Sequence, residues 1–156
     1  MATDDRGRTL AQIRAWDFER LETTHDYIQW LFPLEEPSGV NPGAPLLDRA
    51  TIRAFQQDPH LRSELLKSFV LMLGLFGLKI DSEPLRVSER PDFRERAQVW
   101  LGSHNLLRIT RILICLRTLG LEPEARAFYD FLESLYAREP DGIGSSFEYW
   151  KRAMVR

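Results

Sequence analysis

Apolar side chains recur at helical intervals along nearly the whole chain. From residue 17 to residue 32, Phe18, Leu21, His25, Ile28 and Phe32 follow one another at steps of three or four, which is the spacing of one helix face. No long stretch alternates between apolar and polar residues as a half-buried β-strand does. The sequence therefore predicts an all-α fold.

Capping residues and helix breakers divide this pattern into about six or seven helices. Asp17, Asp48 and Asp58 occupy predicted N-caps, and Pro59 follows at the first helical position. The prolines and glycines between Glu35 and Leu47 predict a surface loop. We expect a compact helical bundle with a proline-rich surface loop.

The length of 156 residues suits one domain. Nothing resembling an interdomain linker or an internal repeat interrupts it. We expect residues 1–15 to form an N-terminal tail or a short helix, and residues 16–156 to form the folded domain.

Charge and hydropathy restrict the class of protein. The 21 Lys and Arg residues nearly balance the 23 Asp and Glu residues, giving a net charge of -2, so general nucleic-acid coating is not favoured. The longest apolar run, Phe69–Leu78, is too short to cross a bilayer. The polar start Met1–Arg8 does not resemble a secretory leader. These features predict a cytoplasmic protein without a transmembrane segment.

Metal and cofactor chemistry has little support in the sequence. Cys115 is the only cysteine, and His25, His60 and His104 show no spacing typical of metal ligands. We expect no metal and no cofactor. No catalytic motif is recognisable either, so the sequence favours a binding protein over an enzyme.

The helix predicted after Ser103 has one cationic face. His104, Arg108 and Arg111 follow at steps of four and three, and no Asp or Glu occurs from Ala97 to Leu121. Like charges at this spacing repel, so an acidic partner is expected. Two partners fit. One is an anionic ligand, held by the arginines and by Ser103, His104 and Asn105 at the start of the helix. The other is the acidic first helix, with Asp17, Glu19, Glu22 and Asp26.

Histidine and aromatic residues admit two interpretations each. His25 falls on the predicted inward face, where a histidine is either a buried hydrogen-bonding strut or a reactive group. Its neighbour Asp26 points about 100 degrees away round the helix, so the two do not form a dyad. Tyr27, Trp30 and Trp100 either stack on a ligand beside the arginines or fill gaps between helices.

Three blocks of sequence carry a resemblance to a known family. They are His25–Pro33, Leu71–Gly74 and Ser103–Leu113. In this order and spacing they resemble the conserved N-terminal domain of the opioid growth factor receptor family, over nearly the whole chain. The resemblance implies binding of a peptide, Met-enkephalin in the animal receptor, and restraint of cell proliferation at the nuclear envelope and in the nucleus. Animal members carry a charged, repeat-bearing tail after this region. This sequence stops at Arg156 without such a tail, so we expect a stand-alone domain.

The favoured hypothesis is a binding domain for a peptide or a small anionic ligand, with signalling receptor activity as the resemblance implies. The predicted ligand-binding residues are His25, Asp26, Tyr27, Trp30, Trp100, Ser103, His104, Asn105, Arg108 and Arg111.

Three alternatives stay open. The first is an enzyme acting on a phosphate-bearing substrate, with His104 as acid or base and Arg108 and Arg111 as charge clamps. The second is a structural or oligomerising domain in which the shared blocks only pack helices. The third, nucleic-acid binding, needs the arginine face exposed and an affinity that falls with salt.

Overall fold

The computed structural model describes residues 3–39 and 41–155, and Met1, Ala2, Val40 and Arg156 lie outside the described residues. In this part of the chain, ten helices and a two-stranded sheet surround one hydrophobic core. The helices are α1 (Leu10–Arg14), α2 (Phe18–Thr23), α3 (Ile28–Leu31), α4 (Arg49–Gln57), α5 (Pro59–Leu75), α6 (Phe93–Trp100), α7 (Asn105–Thr118), α8 (Glu122–Arg138), α9 (Pro140–Ile143) and α10 (Ser146–Ala153). The strands are β1 (Leu78–Ser82) and β2 (Leu85–Glu89).

The all-α prediction of six or seven helices is wrong, because the chain folds as a mixed α/β domain. Strands β1 and β2 form an antiparallel hairpin in which Ile80 pairs with Val87 and Leu78 with Glu89. Leu78 and Val87 are buried, and the hairpin packs against α5 and α8. Each strand has only five residues. An alternation this short is easily missed beside the long apolar run that precedes it.

The prediction also underestimates the number of helices. Two short helices, α1 and α9, add to the count, and the predicted first helix is interrupted. It divides into α2 and α3, and Thr24 between them is extended, with ψ 129. The β-branched residues Thr23 and Thr24 favour extended backbone over helix. Because of this break, the residues from His25 to Tyr27 do not lie on the helix face that the periodicity predicts. Tyr27 becomes fully buried and His25 becomes exposed, so the predicted inward position of His25 is wrong.

Three predicted N-caps are confirmed. The carboxylate of Asp17 accepts a hydrogen bond from the backbone N–H of Arg20 at 2.9 Å. Those of Asp48 and Asp58 accept from the backbone N–H groups of Thr51 and His60 at 2.7 and 2.9 Å. Each satisfies a helix N–H that has no partner within its helix.

Helices α5, α7 and α8 supply the centre of the core. Phe69 of α5 and Phe128 of α8 have ring centroids 5.4 Å apart, and both are fully buried. The indole N–H of Trp150 on α10 donates to the carbonyl oxygen of Leu106 at 3.1 Å, which joins α10 to α7. One face of α7 is thereby held in the core, while its residues Arg108 and Arg111 reach the α2 and α3 segments.

The loop between α3 and α4 returns to the start of the domain. Leu34 and Leu46 form an isolated parallel bridge, and the N–H of Leu47 donates to the carbonyl oxygen of Leu34 at 2.9 Å. The side-chain amide of Asn41 donates to the carbonyl oxygen of Asp26 at 3.4 Å. The loop therefore lies beside the junction of α2 and α3.

Candidate functional site

Arg108 of α7 binds the backbone at the end of α2. Its Nη1 donates to the carbonyl oxygen of Leu21 at 3.1 Å and to Oδ1 of Asn105 at 3.1 Å, and its Nη2 donates to the carbonyl oxygen of Thr24 at 2.6 Å. Only 5% of Arg108 is exposed, and this burial lowers the pKa of its guanidinium. Among the described residues, no ion pair uses Arg108. Carbonyl oxygens at a helix C-terminus take the place of a carboxylate.

Tyr27 stabilises the same carbonyl group from the other side of the break. Its hydroxyl donates to the carbonyl oxygen of Leu21 at 2.6 Å, while the Arg108 guanidinium lies 5.2 Å from the centroid of its ring. Burial raises the pKa of Tyr27 to about 12, so its hydroxyl stays a donor at neutral pH. If α2 continued, the backbone N–H of His25 would bind this oxygen. Tyr27 and Arg108 replace that lost hydrogen bond.

Asn105 connects Arg108 to a carboxylate. Its side-chain amide donates to both carboxylate oxygens of Glu22, at 3.0 and 2.8 Å, and it is fully buried. Ser103 supports it by accepting from the backbone N–H of Asn105 at 3.1 Å and donating to the carbonyl oxygen of Trp100 at 2.7 Å. A Glu22–Asn105–Arg108 chain therefore links the two segments. Of the four acids considered as internal partners, Glu22 reaches α7 through Asn105 and His104, whereas Asp26 pairs with Arg6 and Arg8.

Arg111, about one turn further along α7, also binds a backbone carbonyl oxygen at the end of a helix. Its Nε donates to the carbonyl oxygen of Phe32, the residue that ends α3, at 2.8 Å. Arg111 is half-buried, and burial lowers the pKa of its guanidinium. One turn beyond it, burial raises the pKa of the Cys115 thiol, which makes this cysteine a poor nucleophile.

His25 and His104 meet edge to face at the surface. Their ring centroids are 4.6 Å apart with an interplanar angle of 76°, and both residues are exposed. Nε2 of His104 lies 3.6 Å from a carboxylate oxygen of Glu22. Burial, the charge of Arg108 and the neighbouring His25 lower the pKa of His104, and Glu22 opposes them. Arg108 lies beneath the pair and is closed off from solvent.

An open cleft of about 490 Å³ adjoins His25. Asp26, one of its two acids beside Asp5, pairs with Arg6 at 3.3 Å and with Arg8 at 2.9 Å. The guanidinium of Arg6 remains largely exposed, with 69% of its side chain accessible. The lining consists of Asp5, Arg6, Thr23, Thr24, His25, Asp26 and Asn41.

Trp30 lines a neighbouring, mainly apolar cavity of about 300 Å³. Arg8 connects residues of the two linings, because it lines the Trp30 cavity and pairs with Asp26 of the cleft. It also binds the buried carboxylate of Asp4 at 2.6 Å. The cavity is formed by Thr3, Asp4, Arg8, Leu10, Ile13, Trp30 and Pro45. Trp100 lies elsewhere. It is 1% exposed, and its indole N–H donates to the carbonyl oxygen of Phe76 at 3.0 Å.

The structure divides the predicted site residues into two groups. One group is inward-facing and bonded within the domain: Tyr27, Trp100, Ser103, Asn105, Arg108 and Arg111. The other reaches the surface or lines the Asp26 cleft or the Trp30 cavity: His25, Asp26, Trp30 and His104. Trp100, although buried, also lines a separate small cleft that includes Glu22. Arg6, Arg8 and Asn41 complete the clefts and were not predicted. They lie outside the shared blocks, in the N-terminal segment and in the loop after α3, and no periodic pattern marks them.

Within residues 3–39 and 41–155, no three His, Cys, Asp or Glu residues are grouped to hold a metal ion. None of the helices described there has both the length and the apolar character required to cross a membrane.

Fold and site define a mixed α/β, mainly helical domain in which arginines of one helix bind the backbone of a broken N-terminal helix. The sequence profile described as the opioid growth factor receptor (OGFr) conserved region matches residues 8–155. The chain belongs to this family.

Several relatives share this region. The human opioid growth factor receptor is 39% identical over 137 residues, which cover 83% of this chain and 20% of the relative. Opioid growth factor receptor-like protein 1 of Xenopus tropicalis is 38% identical over 140 residues, covering 86% of this chain and 27% of the relative. The chain thus spans about a fifth to a quarter of the length of these relatives. No solved structure matches.

Proposed function

We propose that this chain is a ligand-binding domain for a short peptide with a free carboxylate, and that it carries the receptor function implied by the names of its relatives. The proposed site comprises the Asp26 cleft and the Trp30 cavity. A cytoplasmic location is part of the same proposal.

One observation carries the proposal, namely that a single arginine lines the apolar cavity and is paired with an acid that lines the charged cleft. Arg8 lines the Trp30 cavity and pairs with Asp26, which lines the charged cleft. A short peptide has matching groups, since it carries apolar side chains and ends in a charged carboxylate. We propose that an apolar side chain packs on Trp30 and Leu10.

The charged cleft suits the end of such a peptide. Arg6 is exposed, and its one ion pair with Asp26 leaves guanidinium donors facing solvent. His25 stands beside it and supplies a further donor. A carboxylate held by Arg6 and His25 gains charge-assisted hydrogen bonds, which are stronger than those between neutral groups.

The buried predicted residues have a positioning role in this proposal. Arg108 binds the carbonyl oxygen of Thr24, the residue before His25 and Asp26. Tyr27 and Asn105 fix the end of α2 just before it, by binding Leu21 and Glu22. A ligand need not contact these three buried side chains. Their substitution should weaken binding through loss of the geometry around His25 and Asp26.

Calorimetry with Met-enkephalin and its C-terminal amide tests the proposal. We expect the free acid to bind, and both amidation and Arg6→Ala to weaken binding about tenfold, as loss of a charge-assisted contact does. Arg53→Ala, an exposed arginine on α4, is the matched control and should leave binding unchanged. Equal binding of acid and amide, or no heat from either, would reject the carboxylate site.

The pairing of His25 with His104 favours a second candidate, acid–base chemistry on a phosphate-bearing substrate. Two rings 4.6 Å apart at the surface, one of them beside Glu22, resemble a proton-transfer arrangement. Arg108 is bonded to carbonyl oxygens and does not serve as a clamp here. Hydrolysis of para-nitrophenyl phosphate that His104→Gln abolishes would support this candidate, and a rate equal to buffer would remove it.

The burial of Tyr27 favours the structural alternative for that residue. If the domain only assembles with itself, its mass by size-exclusion chromatography with light scattering will exceed that of one chain. A monomer that binds peptide contradicts this alternative.

A further inference from the structure

A separate cleft lies between β2, α6 and the α8–α9 corner. Its volume is about 570 Å³, within the range of roughly 300–1,000 Å³ typical of small-molecule sites. None of the residues predicted for ligand binding lines it. Its walls come from Glu89, Phe93, Arg94, Ala97, Gln98, Leu101, Leu135, Arg138, Glu139 and Gly142.

The floor of this cleft is apolar and well supported. Phe93, Ala97 and Leu135 line it while keeping only 7%, 7% and 1% of their surfaces exposed. Phe93 is held edge to face against Phe131, with centroids 5.9 Å apart. The floor is therefore formed by the packed core, and an apolar group placed on it would displace water from a preformed surface.

The α6 wall offers hydrogen-bond donors. Arg94 and Gln98 are both exposed and lie one helical turn apart, so their side chains lie next to each other. In the part of the chain that the structure describes, neither side chain takes part in a hydrogen bond or an ion pair. Together they match a carboxylate, which accepts two hydrogen bonds.

The opposite wall offers an acceptor. Arg138 is bound there by Glu89 at 2.6 Å, so these two charges cancel. Glu139, at the end of α8, is exposed, and no ion pair of the described residues involves it. After pairing, one positive charge remains on the α6 wall and one negative charge on the α8 wall.

We propose that this cleft binds a small zwitterion with an apolar body, of the size of an apolar dipeptide. Its carboxylate binds Arg94 and Gln98, its ammonium group binds Glu139, and its side chains cover the apolar floor. A simple anion would leave the floor and Glu139 unused. An amine without a carboxylate would leave Arg94 without an acceptor. This site is distinct from the Asp26 cleft and goes beyond the function proposed above.

The test is calorimetry on the full chain with Leu-Leu, its N-acetyl derivative and its C-terminal amide. We expect Leu-Leu to bind, and Arg94→Ala and Glu139→Gln each to weaken it about tenfold, as charge-assisted contacts do. Acetylation removes the ammonium group that contacts Glu139, and amidation removes the carboxylate that contacts Arg94. The acetylated dipeptide should therefore be insensitive to Glu139→Gln, and the amide insensitive to Arg94→Ala.

Glu95→Gln is the matched control, because Glu95 is exposed on α6 but does not line the cleft. It should bind Leu-Leu like the unaltered chain. Absence of binding, or binding that neither Arg94→Ala nor Glu139→Gln changes, overturns the proposal. So does binding that Trp30→Ala abolishes, since the dipeptide would then occupy the other site. Both substituted side chains are exposed, so the variants should fold.

Discussion

Nη2 of Arg108 lies 2.6 Å from the carbonyl oxygen of Thr24, across 84 residues of sequence. A buried guanidinium thus binds peptide carbonyls where a carboxylate was expected. This works because the broken helix α2 leaves carbonyl oxygens without partners, and these carry the partial negative charge of a helix C-terminus. The contact holds the segment that carries His25 and Asp26 at the surface.

Replacing Arg108 with alanine should destabilise the domain by about 3 kcal/mol, because the buried carbonyl oxygen of Leu21 and the partly buried one of Thr24 each lose a donor. Lysine should recover only part of this, since one ammonium group does not reproduce the guanidinium fork. Urea unfolding measures both variants. Arg53→Ala is the control, and an Arg108→Ala variant as stable as that control would contradict the assigned role.

Tyr27→Phe should cost less, about 1 kcal/mol. The phenylalanine ring fills the same space, and Arg108 continues to donate to the carbonyl oxygen of Leu21. The double variant Tyr27→Phe with Arg108→Ala should cost more than the sum of the single changes, since that oxygen then loses both donors. Additive costs measured in urea would show that the two groups do not share the oxygen.

His104→Gln should change how stability depends on pH. The folded pKa of His104 lies below its ordinary value of 6.5, through burial, Arg108 and His25, with Glu22 opposing. The unfolded chain therefore binds more protons in this window, and stability falls as pH drops from above 6.5 toward the folded pKa. Glutamine does not titrate and should flatten this decline. An unchanged pH profile in urea unfolding would refute the expectation.

Glu64 should make the domain sensitive to acid. Its hydrogen bonds with Lys67 at 2.9 Å and Arg14 at 2.8 Å lower its pKa from 4.5 to about 2. Its contribution is complete above pH 4.5 and is lost as pH falls from 4.5 toward 2. Glu64→Gln should be less stable than the native chain near neutrality, and the difference should vanish at the acid end. A difference that persists near pH 2 would argue against this ion pair.

Local chemistry accounts for the parts of the fold that were predicted correctly. Asp17, Asp48 and Asp58 cap helices as expected, because the side chain of an N-cap residue binds N–H groups only two or three positions ahead. Helix α5, opened by Pro59, also results from local signals. The family could be recognised because its shared blocks are continuous in sequence.

The missed features depend on contacts between distant parts of the chain. The hairpin of β1 and β2 packs not only on the preceding helix α5 but also on α8, which begins more than thirty residues after β2. Likewise, the break between α2 and α3 is stabilised by Arg108, and the cleft beside Asp26 needs Arg6 from the N-terminal segment. None of these partners is visible from local periodicity.

By itself the sequence determined the predominance of helix, the caps, the family and the cationic character of α7. Only the tertiary structure decided that Arg108 binds carbonyl oxygens while His25, His104 and Arg6 remain at the surface. The physical reason is that periodicity reports which face of a helix is apolar, and not where the helix stops. When α2 ends after Thr23, its free carbonyls attract the arginine, and the residues after the break turn toward new neighbours.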